Sequence, residues 1–402
     1  MRPLVLTSIS TVSSLGAGLD ATLSALRHGR SGLRPCGFKT VRLPTYVGEV
    51  DGTGDVRLRE DLRAYDCRNN RLAQMALERD GFAAAVDAAR DRYGPHRVAV
   101  FLGTSTSGIL ETELAYRRRV PSSGALPADF NFDTTHCTAA LAGFVRRFLR
   151  LEGPSAVISS ACATTAKVFA NAARMIEAGL CDAAVVGGAD SLSHTTLYGF
   201  HSLELVAEGP CRPFDAARDG VSIGEGAGFA LLERADAPSA PGSVAFGSVA
   251  LLGVGESNDA YHMSTPHPDG IGARLAMERA LAAAGLSTGA IDYINLHGTA
   301  TRTGDAAEDR AVTDLFGTET PCSSTKGHTG HMLGASGITE AIIAALCIQH
   351  GLMPGGLHTR TIDPALKSHY LLAGRSGRVD RVMSNSFGFG GTNCSLILGR
   401  AG

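Results

Sequence analysis

The sequence predicts an α/β protein in which helices are layered on mixed or parallel sheets. Three observations predict it. Short apolar runs such as Val98 to Leu102 and Ala183 to Val186 alternate with longer stretches of helical period, and the alternation runs through both halves of the chain. Apolar residues make up 44% of the 402 positions, enough for a substantial core in either two domains or one duplicated unit. Glycine is abundant (49 residues) while aromatics are 6% and tryptophan is absent, a balance that suits closely packed helices with many tight turns.

In order, Leu4 to Ile9 reads as a first strand and Asp20 to His28 as a helix stopped by Gly29. Residues 31–65, broken by Gly and Pro, read as an irregular surface excursion. Arg68 to Arg90 carries Leu72, Met75, Ala76, Phe82 and Val86 at helical spacing and is expected to be one helix. The strand Val98 to Leu102 runs into the polar loop Gly103 to Gly108, then a helix to about Arg119, and Thr138 to Leu151 forms another. Ala156 to Ile158 is a short strand, Ala163 to Ala178 a helix, Asp182 to Gly187 a strand around Ala183 to Val186, and Val221 to Leu232 a glycine-bounded strand. Residues 233–243, polar and rich in Pro and Ala, are the best junction, dividing an N-terminal half (1–235) from a C-terminal half (244–402). Beyond it the expected strands are Ala245 to Val254, Tyr293 to Leu296, Val382 to Asn385 and Cys394 to Leu398. The expected helices there are Gly272 to Ala284, Gly304 to Phe316 and Gly334 to His350.

Several functions are disfavoured at once. A net charge of −2 gives no bulk attraction for nucleic acid or membrane. The nine scattered cysteines contain no C-x-x-C pair, which argues for a reducing, cytoplasmic setting rather than a disulfide framework or structural zinc. The N-terminus reads as a strand, not a signal peptide, and the longest uninterrupted apolar run, Ala341 to Ile348, is too short for a bilayer.

Cys162 sits where a strand turns into a helix, between the small residues Ala161 and Ala163. Free N–H groups and the helix dipole at such a place are expected to lower a thiol's pKa, although a lone cysteine is more often a buried structural residue. Three later segments also put polar chemistry at the edge of an apolar element. They are Ile294 to Thr301 with His297, Ser323 to Gly337 with Lys326, His328 and His331, and Ser384 to Asn393 with Phe387 and Phe389. Two histidines without an H-E-x-x-H pattern make zinc an unfavoured reading. Lys326 lacks any companion signature of pyridoxal phosphate, and the glycine-rich segment lacks the Lys-Ser/Thr ending of a phosphate loop. Together the groups suit acyl transfer: a thiolate to carry an acyl group, two neutral histidines donating N–H to an enolate, and a lysine holding one of them in place.

These residues resemble the β-ketoacyl-acyl carrier protein synthases of the elongating kind, over nearly the whole length. The motifs are Ser160-Ala-Cys162-Ala-Thr, Pro213-Phe-Asp-Ala-Ala-Arg-Asp-Gly220, Gly224-Glu-Gly-Ala-Gly228, His297-Gly-Thr-Ala-Thr301 and Gly304-Asp. Thr325-Lys-Gly-His-Thr-Gly-His331 and Asn385-Ser-Phe-Gly-Phe-Gly-Gly-Thr-Asn393 complete them. The resemblance implies a thiolase-like fold, two similar halves in a five-layer αβαβα sandwich. It implies Cys162 as the acylated nucleophile, His297, His331 and Lys326 as its catalytic partners, and no cofactor or metal. Glu340 matches the glutamate that pairs with the lysine, Glu308 a further glutamate of the His297 segment, and Phe389 the gating phenylalanine whose N–H joins that of Cys162 in an oxyanion hole. Phe387, Thr299 and Thr301 are supporting residues of the same motifs. His331 stands where initiating synthases need asparagine, and Cys394 lies outside the motif that carries the second cysteine of thiolases. Asn295 stands where glutamate is common, with little effect expected.

The resemblance extends to partners and pathway. It implies an acyl carrier protein, acyl- and malonyl-loaded, and a homodimer or a heterodimer with a chain-length-factor-like subunit. Asp182 to Glu204 and Tyr261 to Pro268 are similar to synthases of aryl polyene or xanthomonadin-type pigments. Thr106, Ile109, Asn131, His136 and His201 are the expected acyl-tunnel residues, with surface positions the alternative for Asn131 and His136. Arg68, Arg71, Arg118, Arg119, Arg146 and Arg147 are the basic candidates for docking an acidic carrier. A non-condensing partner that shapes another synthase's tunnel is the rival reading, opposed by Cys162. A thioester hydrolase is opposed by histidines suited to an enolate rather than to a general base.

Overall fold

The computed structural model describes residues 1–235 and 249–401. Most of the expected junction therefore lies outside the described residues, as does the start of the strand expected at Ala245. The first half contains β1 (Leu4–Ser13), α1 (Leu19–Arg27), α2 (Arg68–Leu77), α3 (Phe82–Tyr93) and β2 (Val98–Gly103). It continues with α4 (Ile109–Arg117), α5 (Ala139–Leu149), β3 (Ser155–Ile158), α6 (Thr164–Glu177), β4 (Ala183–Asp190), α7 (His194–Ser202) and β5 (Gly226–Arg234). The second half has β6 (Val249–Asn258), α8 (Ile271–Ala284), β7 (Tyr293–Asn295), α9 (Arg302–Phe316) and β8 (Pro321–Ser323). It ends with α10 (Ser336–His350), β9 (His369–Tyr370), β10 (Arg381–Gly388) and β11 (Thr392–Arg400).

The two halves repeat one topology. The strands lie in the order β1-β5-β4-β2-β3 in the first half and β6-β11-β10-β7-β8 in the second; with the two-residue edge strand β9, which pairs outside β8, set aside, that is first, fifth, fourth, second, third in both. In each half the second, third and fourth strands are parallel and the last runs antiparallel between the fourth and the first. The halves meet where β1 pairs with β6, Leu4 opposite Leu251.

The layers follow from which helix faces are apolar. Helices α2, α3 and α5 cover the outer face of the first sheet, and α8 packs on the outer face of the second with α9 beside it. Helices α6 and α10 lie in the middle and touch strands of both halves. This is the expected αβαβα order. Every residue of α10 from Ser336 to Ile348 is buried, because a helix between two sheets has no solvent face. Each of its fully buried Ile and Leu side chains contributes about 1.5–3 kcal/mol of gross burial energy. Among the described residues Leu333–His350 is the one stretch long and apolar enough to cross a membrane, and 89% of it is buried within the protein. It is a core helix.

Two expectations fail. The helix expected over residues 68–90 is two helices, broken where Asp80 and Gly81 both take left-handed backbone angles (φ 55° and 71°). The segment 31–65 is not merely a surface excursion. Phe38, Val41 and Val47 are buried with Leu110, Leu192, Leu197 and Ile223 in a separate small core, whose contacts come from distant segments and leave no local period.

Candidate active site

The position of Cys162 is set by close approach of backbone. Strand β3 ends at Ile158 and α6 begins at Thr164, so Cys162 falls in a five-residue turn. Ala161 holds φ at 50°, a strained angle for a residue with a Cβ. The Thr164 hydroxyl accepts from the Ser160 N–H (2.8 Å) and donates to the Ala161 carbonyl (2.6 Å), fastening the turn. Helix α6 sits this close to the sheet because Gly103 and Gly188 lack side chains. A Cβ on Gly188 would stand 1.9 Å from the Gly103 oxygen, and one on Gly103 2.4 Å from Thr164 Cγ2.

The second half supplies the partners. His297 follows β7, and Lys326 and His331 lie on the loop between β8 and α10. The sulfur of Cys162 and one nitrogen each of His297 and His331 lie within 4.8 Å of one another. His331 Nε2 is 3.0 Å from Cys162 Sγ, and its Nδ1 is 3.0 Å from the Ser336 hydroxyl. Lys326 Nζ is 2.5 Å from Glu340 Oε1 and 3.4 Å from His297 Nδ1. A lysine ammonium only donates, so Nδ1 of His297 is bare and its proton is on Nε2. By distance the Cys–His–His cluster could hold a soft cation, but the Lys326 charge beside it opposes one.

Glu308 fixes the His297 turn, accepting from the His297 N–H (2.8 Å), the Gly298 N–H (2.7 Å) and Asn385 Nδ2 (3.2 Å). Burial still pushes its carboxyl up to about 7. Asn295, two residues before His297, is buried and reaches the Glu340 carbonyl at 3.5 Å.

The roof is the β10–β11 hairpin. The backbone N–H groups of Phe389 and of Cys162 itself favour the ionised form of the sulfur. A Cβ on Gly388 would lie 3.0 Å from the Cys162 nitrogen, so a glycine lets the hairpin cross directly over the nucleophile. Phe389 stacks on Phe200 at 5.6 Å, and Phe387 meets His297 edge-on at 6.1 Å. The cavity in front of Cys162 is lined by both histidines, Phe389, Phe200, Thr299 and Thr301. The hydroxyls of Thr299 and Thr301 are 2.9 Å apart.

Burial pushes both histidines well below 6.5, aided by Lys326, so both are neutral at neutral pH. The thiol departs from expectation. Burial outweighs Lys326 and the two backbone N–H groups and pushes Cys162 up to about 11. A helix N-terminus does not by itself make this sulfur a thiolate; it needs a proton acceptor, and His331 Nε2 is in reach.

The remaining expected residues fall elsewhere. His328 is buried facing a separate cavity with Arg27 and His350, and burial lowers it to about 3. None of the five expected tunnel residues lines the cavity in front of Cys162. Thr106 is tied to Asp190 (2.8 Å), and Ile109 is half-buried at the start of α4. Asn131 is exposed and caps the turn 132–136, His136 is bonded to Thr112 (2.6 Å), and His201 is exposed while its neighbour Phe200 faces inward. Of the docking arginines, Arg68 is buried in a bidentate pair with Glu225, because its helix faces the core. Arg71 is paired with Asp66, Arg118 with Asp129, Arg146 is half-buried, and Arg119 and Arg147 point outward.

Sequence reading missed Asp190, Asn385, Phe200 and Ser336. Asp190 accepts from Thr104, Thr106 and the Ser105 and Ala335 N–H groups, joining the loops of the two halves. Its place at the end of a buried apolar strand was the available signal. Ser336 gave none, because nothing local distinguishes it from any other helix N-terminal serine.

Comparison with known proteins accords with this geometry. Residues 1–237 match the model of the β-ketoacyl synthase N-terminal domain, and residues 249–360 that of the C-terminal domain. The 3-oxoacyl-[acyl-carrier-protein] synthase 2 of Vibrio cholerae is 32% identical over 425 aligned positions, covering 99% of each chain. A mitochondrial 3-oxoacyl-[acyl-carrier-protein] synthase of Arabidopsis thaliana is 40% identical over 270 residues, 63% of this chain and 58% of that relative. A solved ketosynthase in complex with its chain length factor, from Xenorhabdus doucetiae, superposes with a TM-score of 0.88 at 37% identity, over 100% of this chain and 98% of that one. A strand order repeated in both halves, a cysteine under a glycine-rich hairpin and family matches across most of the length lead to one conclusion: the chain belongs to the β-ketoacyl synthase family.

Proposed function

We propose that this chain is a β-ketoacyl-acyl carrier protein synthase, taking an acyl group onto Cys162 and condensing it with a malonyl thioester. The observation that carries the reading is the convergence of Cys162, His331, His297 and Lys326 on one buried cavity. In the first half-reaction Cys162 gives its proton to His331 Nε2 and attacks the acyl thioester. The oxyanion is met by the N–H groups of Cys162 and Phe389. The carrier thiolate leaves and takes the proton back from Nε2. In the second, His297 Nε2–H and His331 Nε2–H hold the malonyl thioester oxygen while carbon dioxide leaves. The resulting enolate attacks the acyl-Cys162 carbonyl, forming the carbon–carbon bond and releasing the Cys162 thiolate. Thr299 and Thr301 line the approach, and Phe389, free to rotate off Phe200, gates it. Supplied with acyl- and malonyl-loaded carrier proteins, the protein should yield a 3-ketoacyl product; no product with every partner present overturns the reading.

The same proposal covers assembly and setting. Strand β3, directly before the nucleophile, is a sheet edge with Ser155 and Ala156 exposed and Val157 and Ile158 half-exposed. Such an edge calls for a cover, and a second copy or a chain-length-factor-like subunit supplies it. The boundary between halves near residues 236–243, the cytoplasmic location favoured by nine free cysteines, and the aryl polyene subtype belong to this reading. The Xenorhabdus doucetiae ketosynthase, solved with a chain length factor, favours a heterodimer. The rival, a non-condensing chain-length partner, predicts that Cys162 stays unmodified by an acyl donor; intact-mass analysis separates the two.

A further inference from the structure

The two histidines are held in different ways. His297 Nδ1 faces an ammonium, which fixes one tautomer. His331 Nδ1 faces the Ser336 hydroxyl at 3.0 Å, at the start of α10. Ser336 is buried, and His331 is its hydroxyl's partner among the described residues. A hydroxyl accepts from Nδ1–H or donates to a bare Nδ1 by rotating.

We infer that Ser336 is a positioning residue whose rotating hydroxyl lets His331 serve as proton acceptor in acylation and as hydrogen-bond donor in decarboxylation. The inference rests on the condensing reading. Acylation needs a lone pair on Nε2, with Nδ1–H donating to Ser336. After the Cys162 proton moves to Nε2, the cation keeps that Nδ1–H···Oγ bond until the leaving thiolate takes the proton. Decarboxylation needs Nε2–H, with Ser336 donating to bare Nδ1. Between the half-reactions the ring gains a proton at Nε2 and loses one at Nδ1, both exchanged with water. Lys326, His297 and Glu340 are the titratable groups around the Cys162–His331 pair, with the Phe389 N–H at the sulfur.

The test follows acylation of Cys162 by an acyl-loaded carrier protein, read by intact mass, against pH. Wild type should show a shallow profile between pH 7 and 9. Ser336→Ala should be about tenfold slower at pH 7, the worth of one buried hydrogen bond, with KM unchanged. Its rate should climb more steeply with pH than that of wild type, because a weaker acceptor at His331 leaves more of the reaction to the small fraction of sulfur already ionised. Ser336→Thr keeps a hydroxyl on the same carbon and should recover most of the rate and the shallow profile. An unchanged rate and profile in Ser336→Ala overturns the inference, as does a uniform fall with no change of slope, which marks a structural role. The readout needs no malonyl substrate, so a failure of condensation in wild type remains a separate result.

Discussion

The two halves place the same topological feature, the crossover from third strand to central helix, at the active site but build it differently. In the first half it is the five-residue turn from β3 to α6, carrying Cys162. In the second it is the twelve-residue loop from β8 to α10, carrying Lys326 and His331. The short turn holds one atom rigidly, through a strained Ala161 and a Thr164 clasp. The long loop brings two side chains across to it and leaves room for their own partners, Glu340 and Ser336. A duplicated scaffold thus supplies a fixed cysteine from one copy and the histidine and lysine side chains around it from the other, meeting where the central helices share a layer.

Four measurements break or sharpen that contrast. Cys162→Ala should abolish condensation, on the order of 10⁴-fold, and leave no acyl adduct by intact mass; an adduct on another residue would move the nucleophile out of the turn. His297→Ala and His331→Ala should each slow malonyl decarboxylation by roughly 10²- to 10³-fold, as for loss of an oxyanion-type donor. His297→Ala should retain acylation of Cys162 close to wild type, because only His331 touches the sulfur, whereas His331→Ala should slow acylation as well. Equal loss of both half-reactions in both variants would erase the division of labour. Gly188→Ala should cost about 3 kcal/mol, read as a lower melting temperature, since its Cβ would stand 1.9 Å from a backbone oxygen beneath the short turn. A melting temperature equal to wild type would show the turn is less tightly seated than its contacts imply. The smallest expected effect is one of slope. With the thiol at about 11, alkylation of Cys162 by iodoacetamide in His331→Ala should rise about tenfold per pH unit from neutral towards that value, because only the thiolate reacts. Wild type, with an acceptor beside the sulfur, should rise less steeply, and identical slopes would remove His331 from that role.

Much of this was legible in the chain. The apolar runs around Val98 and Ala183 and the glycine-bounded Gly226 segment gave strands because strand burial leaves a local pattern. The order of the cysteine, histidine and lysine motifs named the groups that the structure brings together around one cavity. Where the expected tunnel and docking side chains lie was not legible. His201 and Phe200 are adjacent, and which faces the cavity depends on how α7 packs. Arg68 looks like any helix-surface arginine until Glu225, 157 positions away, is seen to hold it in the interior.

The sequence by itself determined the layered α/β class, the succession of elements and which cysteine, histidine and lysine residues meet at the cavity, because these rest on local periodicity and short motifs. Only the tertiary structure decided how those groups behave. Burial raised the thiol that a helix end was expected to lower, and Lys326 and Ser336 assigned different proton roles to two histidines that look alike in the chain. Desolvation and hydrogen-bond direction depend on what surrounds an atom in space, and the residues that do so here come from opposite halves of the molecule.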